Sequence, residues 1–244
     1  MVELERIASN GWRGTVTERL GDWLLRASGG FTGRANSVLA LGSPDVGLPS
    51  ALDAVADFYR RNELPPLFQI PFVPGVPDPL TADLVADSWQ VFNATSVMTA
   101  AIVDGANTYP PRGLGMVVHE DEPSAQWLSG YLYRGRPLPA NAVTVLVNAR
   151  QPTFLSLVDG SELLGVARGI VTDGWLGVTA VTVPERHRRR GVGSALMAEL
   201  LRWGADRGAV GTYLQVDAAN TAALAMYANG GFVEHHRYHY LRRG

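Results

Sequence analysis

The stretch from Val178 to Ser194, VTAVTVPERHRRRGVGS, decides the fold. Its first six residues alternate as in a β-strand, and Pro184 ends that strand. An arginine-rich loop follows, and then Gly191 and Gly193 open a helix that helically spaced apolar residues extend to about residue 207. A strand, a basic loop with glycines and a helix in this order predict an anion site at the start of the helix.

The chemistry of this loop favours a phosphate group. Backbone N–H groups at a helix start have no partner inside the helix, and the helix dipole adds positive potential there. The two glycines leave room for an anion near the backbone. Four arginines surround the same point: Arg186, Arg188, Arg189 and Arg190. The alternative interpretation of these arginines is a solvated basic loop or a nucleic-acid contact.

Two common nucleotide-binding motifs do not match this segment. A P-loop needs a lysine and a four-residue spacer, and the chain contains no lysine. The dinucleotide fingerprint needs a third glycine where Leu196 stands. A pyrophosphate bound without a metal remains, and coenzyme A carries such a group.

A second motif lies about 25 residues downstream, with the pattern Asn220-x-x-Ala223-x-x-Met226-Tyr227-x-x-x-Gly231-Phe232. Together with Arg188-x-x-Gly191-x-Gly193, it resembles the signature motifs of the GCN5-related N-acetyltransferase (GNAT) superfamily. The resemblance covers roughly residues 115–244. It implies an α+β fold, with a mixed, mostly antiparallel sheet flanked by helices and with central strands that splay apart.

The resemblance also implies roles for individual residues in binding acetyl-CoA. The pantetheine arm would lie along the strand end, and the pyrophosphate would lie on the loop and helix start. The cofactor-binding residues would be Val181, Thr182, Val183, Arg188, Arg189, Arg190, Gly191, Val192, Gly193, Ser194 and Asn220. Tyr227 matches the catalytic phenol that protonates the departing thiolate, although a packing role is the alternative. The N–H of Val183 or of its neighbour would polarise the acyl oxygen.

The general base is not identified by the sequence. An amine must be neutral to attack, so a proton acceptor is needed, but the strand 178–183 carries no Asp or Glu. The candidates by residue type are Glu185, Asp173, His235, His236 and His239. Each of them has an ordinary loop or strand role as the alternative, and no pair has the spacing of a metal site.

Composition narrows the classes of function. The chain has 244 residues, of which 46% are hydrophobic and 18% charged, so it can bury a real core. A net charge of −2 argues against bulk nucleic-acid binding. The absence of cysteine excludes disulfides, thiolate zinc sites and a cysteinyl-acyl intermediate. The sequence shows neither a membrane-length apolar run nor a signal-peptide core, so we expect a cytoplasmic location and no membrane partner.

The first half of the chain resembles the second only in the order of its predicted elements. The segment 104–113, DGANTYPPRG, is the best linker candidate. We therefore expect a degenerate GNAT-like domain over 1–112, which binds substrate or a partner, and a catalytic GNAT domain over 113–244. Thr81 is predicted to cap a helix over 82–89. The aromatic residues Trp12, Trp23 and Phe31 are predicted to form core rather than to line a cleft.

The predicted function is an acyl-CoA-dependent N-acyltransferase. It would transfer an acetyl or short acyl group from acetyl-CoA to an amine of a small molecule or a protein, by direct attack in a ternary complex. One alternative is a non-catalytic acyl-CoA-binding regulatory module. Another is an N-terminal half that recruits a protein for acetylation. The sequence predicts neither the acceptor nor the oligomeric state.

Overall fold

Strands from both halves of the chain form one sheet in the computed structural model, which describes residues 1–103, 113–133 and 135–243. The strands are β1 (Val16–Leu20), β2 (Trp23–Ala27), β3 (Val38–Leu39), β4 (Leu67–Phe72), β5 (Trp89–Ala101), β6 (Met116–Glu120), β7 (Thr153–Asp159), β8 (Glu162–Thr172), β9 (Trp175–Thr182), β10 (Gly211–Asp217) and β11 (Val233–Arg243). The helices are α1 (Val2–Gly11), α2 (Leu48–Arg61), α3 (Pro79–Ala86), α4 (Ala125–Gly130), α5 (Ala142–Val147), α6 (Val192–Ala205) and α7 (Thr221–Asn229). This is the mixed sheet flanked by helices that the sequence predicted.

The strand order is β1-β2-β3-β4-β11-β5-β10-β9-β8-β7-β6. Most neighbouring pairs are antiparallel, whereas β3–β4 and β9–β10 are parallel. The strand β11 lies between β4 and β5, so a strand from the second half of the chain completes the sheet of the first half. The boundary expected at residue 112 stays a prediction, and the linker segment 104–112 lies outside the described residues.

The core also joins the two halves. Trp12 and Phe31 pack in one buried cluster with Trp127 and Phe154. Trp23 belongs to a second cluster, beneath α2. The side chains of Trp12, Trp23 and Phe31 are no more than 3% exposed, so the prediction that they form core is confirmed.

Most predicted elements match the structure, but several were missed. The helix α1 buries Leu4, Ile7 and Ala8 at helical spacing. The strand β1 is largely exposed at the sheet edge, and α5 is a short helix in a β-branched segment. The prediction that Thr81 caps a helix over 82–89 is wrong. The helix α3 begins at Pro79, and the Asp78 side chain caps it by accepting a hydrogen bond from the Thr81 N–H at 2.8 Å.

The helix α6 fixes the position of the predicted anion site. Its apolar face, which includes Leu196, Leu200 and Trp203, packs on β8 and β9. The burial of this face against the sheet stabilises the helix and aims its first turn at the end of β9. No helix of the described residues is long and apolar enough to cross a membrane.

Candidate active site

A cavity of 1080 Å³ lies where β9, the arginine loop and the starts of α6 and α7 meet, and we call it the loop cavity. Its lining includes nearly every residue that the sequence predicted to bind cofactor: Val181, Thr182, Val183, Arg188, Arg189, Gly191, Val192, Gly193, Ser194 and Asn220. Tyr227 lines it too, whereas Arg190 does not appear in the lining. The two sequence motifs thus meet around one cavity.

The start of α6 presents unused backbone donors to the loop cavity. Gly191 caps the helix with φ of +87°, a conformation that favours glycine. The first intrahelical bond runs from the Ala195 N–H to the Gly191 carbonyl at 2.9 Å. The helix ladder therefore leaves the N–H groups of residues 192–194 available for an anion.

Gly193 has a packing role beside its predicted one. A Cβ atom at this position would lie 3.2 Å from the sulfur of Met226 on α7. The glycine therefore lets α6 and α7 approach closely, and that approach brings the second motif to the first.

Histidine and arginine side chains shape the loop between β9 and α6. His187 is buried, with its Nε2 3.0 Å from Glu162 Oε1, and its Nδ1 lies 3.1 Å from Arg190 Nη1. This contact gives the Arg190 guanidinium a partner within the loop. The Arg188 Nε donates to the Val183 carbonyl at 3.3 Å, so that carbonyl already has a partner.

The strands β9 and β10 separate at this end of the sheet, as the resemblance implied. Their parallel pairing ends at Val178 and Leu214, although both strands continue. A bulge in β9 lies just beyond this point, with Ala180 at φ of +56°. Among the described residues, no strand pairs with the edge of residues 181–183 that faces β10, which leaves room for an extended ligand.

The helix α7 supplies two polar side chains at the gap. The Asn220 side chain accepts from the Ala223 N–H at 3.1 Å, which makes it the N-cap. Tyr227 is 7% exposed, and burial raises the pKa of its phenol to about 12. The phenol is therefore neutral and able to donate at physiological pH.

A second cavity, of 280 Å³, lies on the other side of the gap, and we call it the tyrosine cavity. It shares Val181, Thr182, Asn220, Ala223 and Tyr227 with the loop cavity. Its lining also includes Arg34, Gln215, Asp217 and four further tyrosines, Tyr131, Tyr133, Tyr238 and Tyr240. The shared residues place Tyr227 where a group entering from one cavity would meet a group held in the other.

None of the candidates for general base is in the described lining of both cavities, and only Glu185 lines one of them. Glu185 lines the loop cavity, where it is exposed. His236 is fully buried with its Nε2 2.9 Å from Glu5 Oε1, and His235 contacts His236. His239 contacts Thr81, and burial lowers its pKa. Asp173 lies in the turn between β8 and β9, at the opposite end of β9 from the bulge.

Two charged residues of the tyrosine cavity were not predicted as site residues. Arg34 follows a glycine-rich segment, GGFTG, which is unusual for a segment with a purely structural role. This segment was the sequence feature that could have pointed to Arg34. Asp217 ends β10 three residues before Asn220. The sequence pattern that could have indicated Asp217 is an aspartate at the end of a strand, directly before the second motif.

Similarity to known proteins shows that this fold and this pair of cavities belong to an N-acetyltransferase of the GNAT superfamily. The chain belongs to the family described as "Probable histone acetyltransferase Rv0428c C-terminal", whose model matches residues 1–241. The probable histone acetyltransferase Rv0428c of Mycobacterium tuberculosis is 30% identical over 98% of this chain and 72% of its own length. The uncharacterized N-acetyltransferase YobR of Bacillus subtilis is 29% identical over 98% of this chain and 96% of its own.

Solved structures show the same fold. A GCN5-related N-acetyltransferase from Kribbella flavida superposes with a TM-score of 0.70 at 16% identity, over 99% of this chain and 95% of that one. Another from Sphaerobacter thermophilus gives a TM-score of 0.63 at 20% identity, over 85% and 72%. These structures confirm the predicted fold class, and the family model with the two curated relatives confirms the predictions of the superfamily and of the acetyltransferase activity.

Proposed function

We propose that this enzyme binds acetyl-CoA in the loop cavity and transfers its acetyl group directly to an amine held in the tyrosine cavity. The observation that carries the proposal is the junction itself: two cavities meet at the separated ends of β9 and β10 and share Tyr227. A donor and an acceptor bound on the two sides would meet there in one ternary complex.

The loop cavity fits coenzyme A in its size and its donors. Its volume of 1080 Å³ lies just above the range of about 300 to 1,000 Å³ that is usual for ligand pockets. The free N–H groups of residues 192–194 and the exposed Arg189 would hold the pyrophosphate. The unpaired edge of residues 181–183 would hold the pantetheine arm by strand addition. Acetyl-CoA supplies the acetyl thioester when bound.

Tyr227 would act on the departing sulfur. Its phenol has a pKa of about 12, whereas a thiol such as that of cysteine titrates near 8.5. Because the phenol is the weaker acid, it stabilises the developing thiolate chiefly as a hydrogen-bond donor in the buried junction.

Asp217 would take the proton that the attacking amine releases. It contributes a carboxylate to the described lining of the tyrosine cavity, and its Oδ1 accepts from the Ala219 N–H at 2.8 Å. That bond orients the carboxylate and leaves Oδ2 for the amine. The carbon–nitrogen bond forms as the carbon–sulfur bond breaks, with one proton moving to Asp217.

Two measurements test this function. Calorimetry should show that the purified protein binds coenzyme A, and a thiol-release assay with acetyl-CoA and a panel of amines should show transfer. A protein that binds coenzyme A but acetylates no amine would favour the regulatory module. The cytoplasmic location expected from the sequence stays a prediction.

A further inference from the structure

Arg34 places a positive charge in the tyrosine cavity, and its hydrogen bonds go to neutral oxygens. Its Nη1 donates to Gln215 Oε1 and its Nε to Thr32 Oγ1, both at 3.4 Å. Its guanidinium carbon lies 4.4 Å from the centre of the Trp12 ring, which fixes the side chain by cation–π contact. These long bonds to neutral partners leave most of the guanidinium's capacity for an anion unused.

A second guanidinium, that of Arg168, adds positive charge near Arg34. Arg168 is fully buried, and its guanidinium carbon lies 5.0 Å from the same Trp12 ring. Its Nη1 donates to the Gly11 carbonyl at 3.0 Å, but Nε and Nη2 have no hydrogen-bond partner among the described residues. Burial lowers its pKa to about 9, so it remains charged at neutral pH. Two cations share one indole near the cavity, and such an arrangement favours an anionic ligand.

The carboxylate of the tyrosine cavity, Asp217, lies on β10, the same strand that contacts Arg34. Gln215, which contacts Arg34, and Asp217 are two residues apart on β10. Alternate residues of a strand face the same side and are separated by about 7 Å. The lining of the tyrosine cavity therefore includes a cation and, further along β10 toward Asn220, a carboxylate.

We propose that the acceptor is an amine that also carries a carboxylate, and that Arg34 binds this carboxylate while the amine faces Asp217 and Tyr227. This inference rests on the proposed function. A cationic peptide such as a lysine-rich tail would bring its positive charges to Arg34 without a compensating anion. Arg34 is thus a specificity-determining residue for an amino carboxylic acid.

The test uses matched pairs of probes that differ only in the carboxylate. These are glycine with methylamine, L-phenylalanine with 2-phenylethylamine, and L-lysine with cadaverine. Each is titrated by calorimetry into the protein saturated with coenzyme A. We expect the carboxylate member of at least one pair to bind about tenfold more tightly or better, since a charge-assisted bidentate contact is lost without it.

Variants separate recognition from stability. Arg34→Gln should abolish the preference within each pair, and Arg34→Lys should retain part of it because the charge remains. The matched control is Arg207→Gln, since Arg207 stacks on Trp203 at 4.2 Å outside both cavities. This control should keep the full preference. The melting temperature of each variant shows whether it is folded. If Arg34→Gln is not folded, the wild-type protein and Arg34→Lys decide whether Arg34 sets the preference.

Three results with the paired probes would overturn the inference, and a fourth comes from a peptide probe. The three are equal binding of the two members of every pair, no binding of any carboxylate, and a preference that survives in Arg34→Gln. Tighter binding of a lysine-containing peptide than of every amino carboxylic acid would also contradict it. Failure of the proposed function looks different, because then the wild-type protein either does not bind coenzyme A or binds it but releases no thiol from acetyl-CoA with any amine.

Discussion

The loop cavity and the tyrosine cavity are adjacent, yet they are built in different ways. The loop cavity takes most of its lining from the contiguous segment 181–194 and from α7. The tyrosine cavity collects residues from the glycine-rich segment near Arg34, from β5, from 131–133, from β9 and β10, and from β11. One is encoded locally, and the other depends on the whole sheet.

This difference matches the chemistry that each cavity serves. A pyrophosphate and a pantetheine arm are recognised largely by backbone groups, so a short motif with the right turn suffices. An acceptor is recognised by side chains, and these come from whichever segments the fold brings together. We therefore expect substitutions in the loop cavity to change cofactor affinity, and those in the tyrosine cavity to change the use of the amine.

The largest effect is expected for Gly191→Asp. It places a fixed negative charge and a side chain at a φ of +87°, next to the helix start. Affinity for coenzyme A, measured by calorimetry, should fall by at least about a hundredfold, which corresponds to about 2.7 kcal/mol.

Gly208→Asp is the matched control for this substitution. Gly208 has a φ of +77° with open space around its Cβ position, and it lies outside both cavities. The Gly208→Asp variant has the same backbone strain and the same added charge, but its affinity for coenzyme A should not change. Coenzyme A affinity within threefold of wild type in Gly191→Asp would remove the helix start from the binding site.

Tyr227→Phe should lower kcat by about 10- to 100-fold, because it removes a donor aimed at the departing sulfur. The affinity for coenzyme A should change little. The control is Tyr59→Phe, which removes a buried phenol that donates to the Arg26 carbonyl outside both cavities, and its kcat should be unchanged. A kcat in Tyr227→Phe equal to that of the wild-type protein would show that Tyr227 has a packing role only.

Asp217→Asn should lower kcat/KM by about tenfold for amines with and without a carboxylate, since it removes the proton acceptor but keeps the side-chain shape. This uniform loss distinguishes it from Arg34→Gln, which acts on the carboxylate-bearing amines alone. Asp206→Asn, at an exposed ion pair with Arg202, is the control. If Asp217→Asn is as active as Asp206→Asn, the proton acceptor lies elsewhere.

The smallest effect is expected in the pH profile. Burial raises the pKa of Tyr227 to about 12, so its phenol keeps the proton throughout the range in which the amine becomes neutral. After correction for the titration of the amine, kcat/KM for an amine without a carboxylate should show no descending limb between about pH 7 and pH 10. A limb near pH 10 that disappears in Tyr227→Phe would mean that the phenol ionises at its ordinary value.

Much of the fold was predictable because its signals are local. Alternation predicted β9, helical spacing predicted α6, and the two motifs predicted the loop cavity. In contrast, α5 has the sequence AVTVLV, which has a high β-propensity, and it is helical because Ala142, Val145 and Leu146 all reach the core. Tertiary packing outweighs propensity at this segment.

The acceptor side was not predictable for a different reason. Arg34 and Gln215 are 181 residues apart in sequence, and Trp12 and Arg168 are separated almost as widely. Residues that meet over such a distance in sequence leave no periodic pattern and no fixed spacing, so a single sequence does not reveal the contact. The buried pair of Glu5 and His236 was not predicted for the same reason, since the two residues are 231 residues apart in sequence.

The position of β11 has a consequence for how the protein is made. During synthesis, β4 and β5 emerge more than a hundred residues before the strand that separates them. Until residues 233–243 arrive, the facing edges of β4 and β5 carry unsatisfied backbone groups that can recruit foreign strands. The nascent polypeptide is therefore most vulnerable to aggregation late in translation, and shielding of these edges by a chaperone would increase the yield of active enzyme.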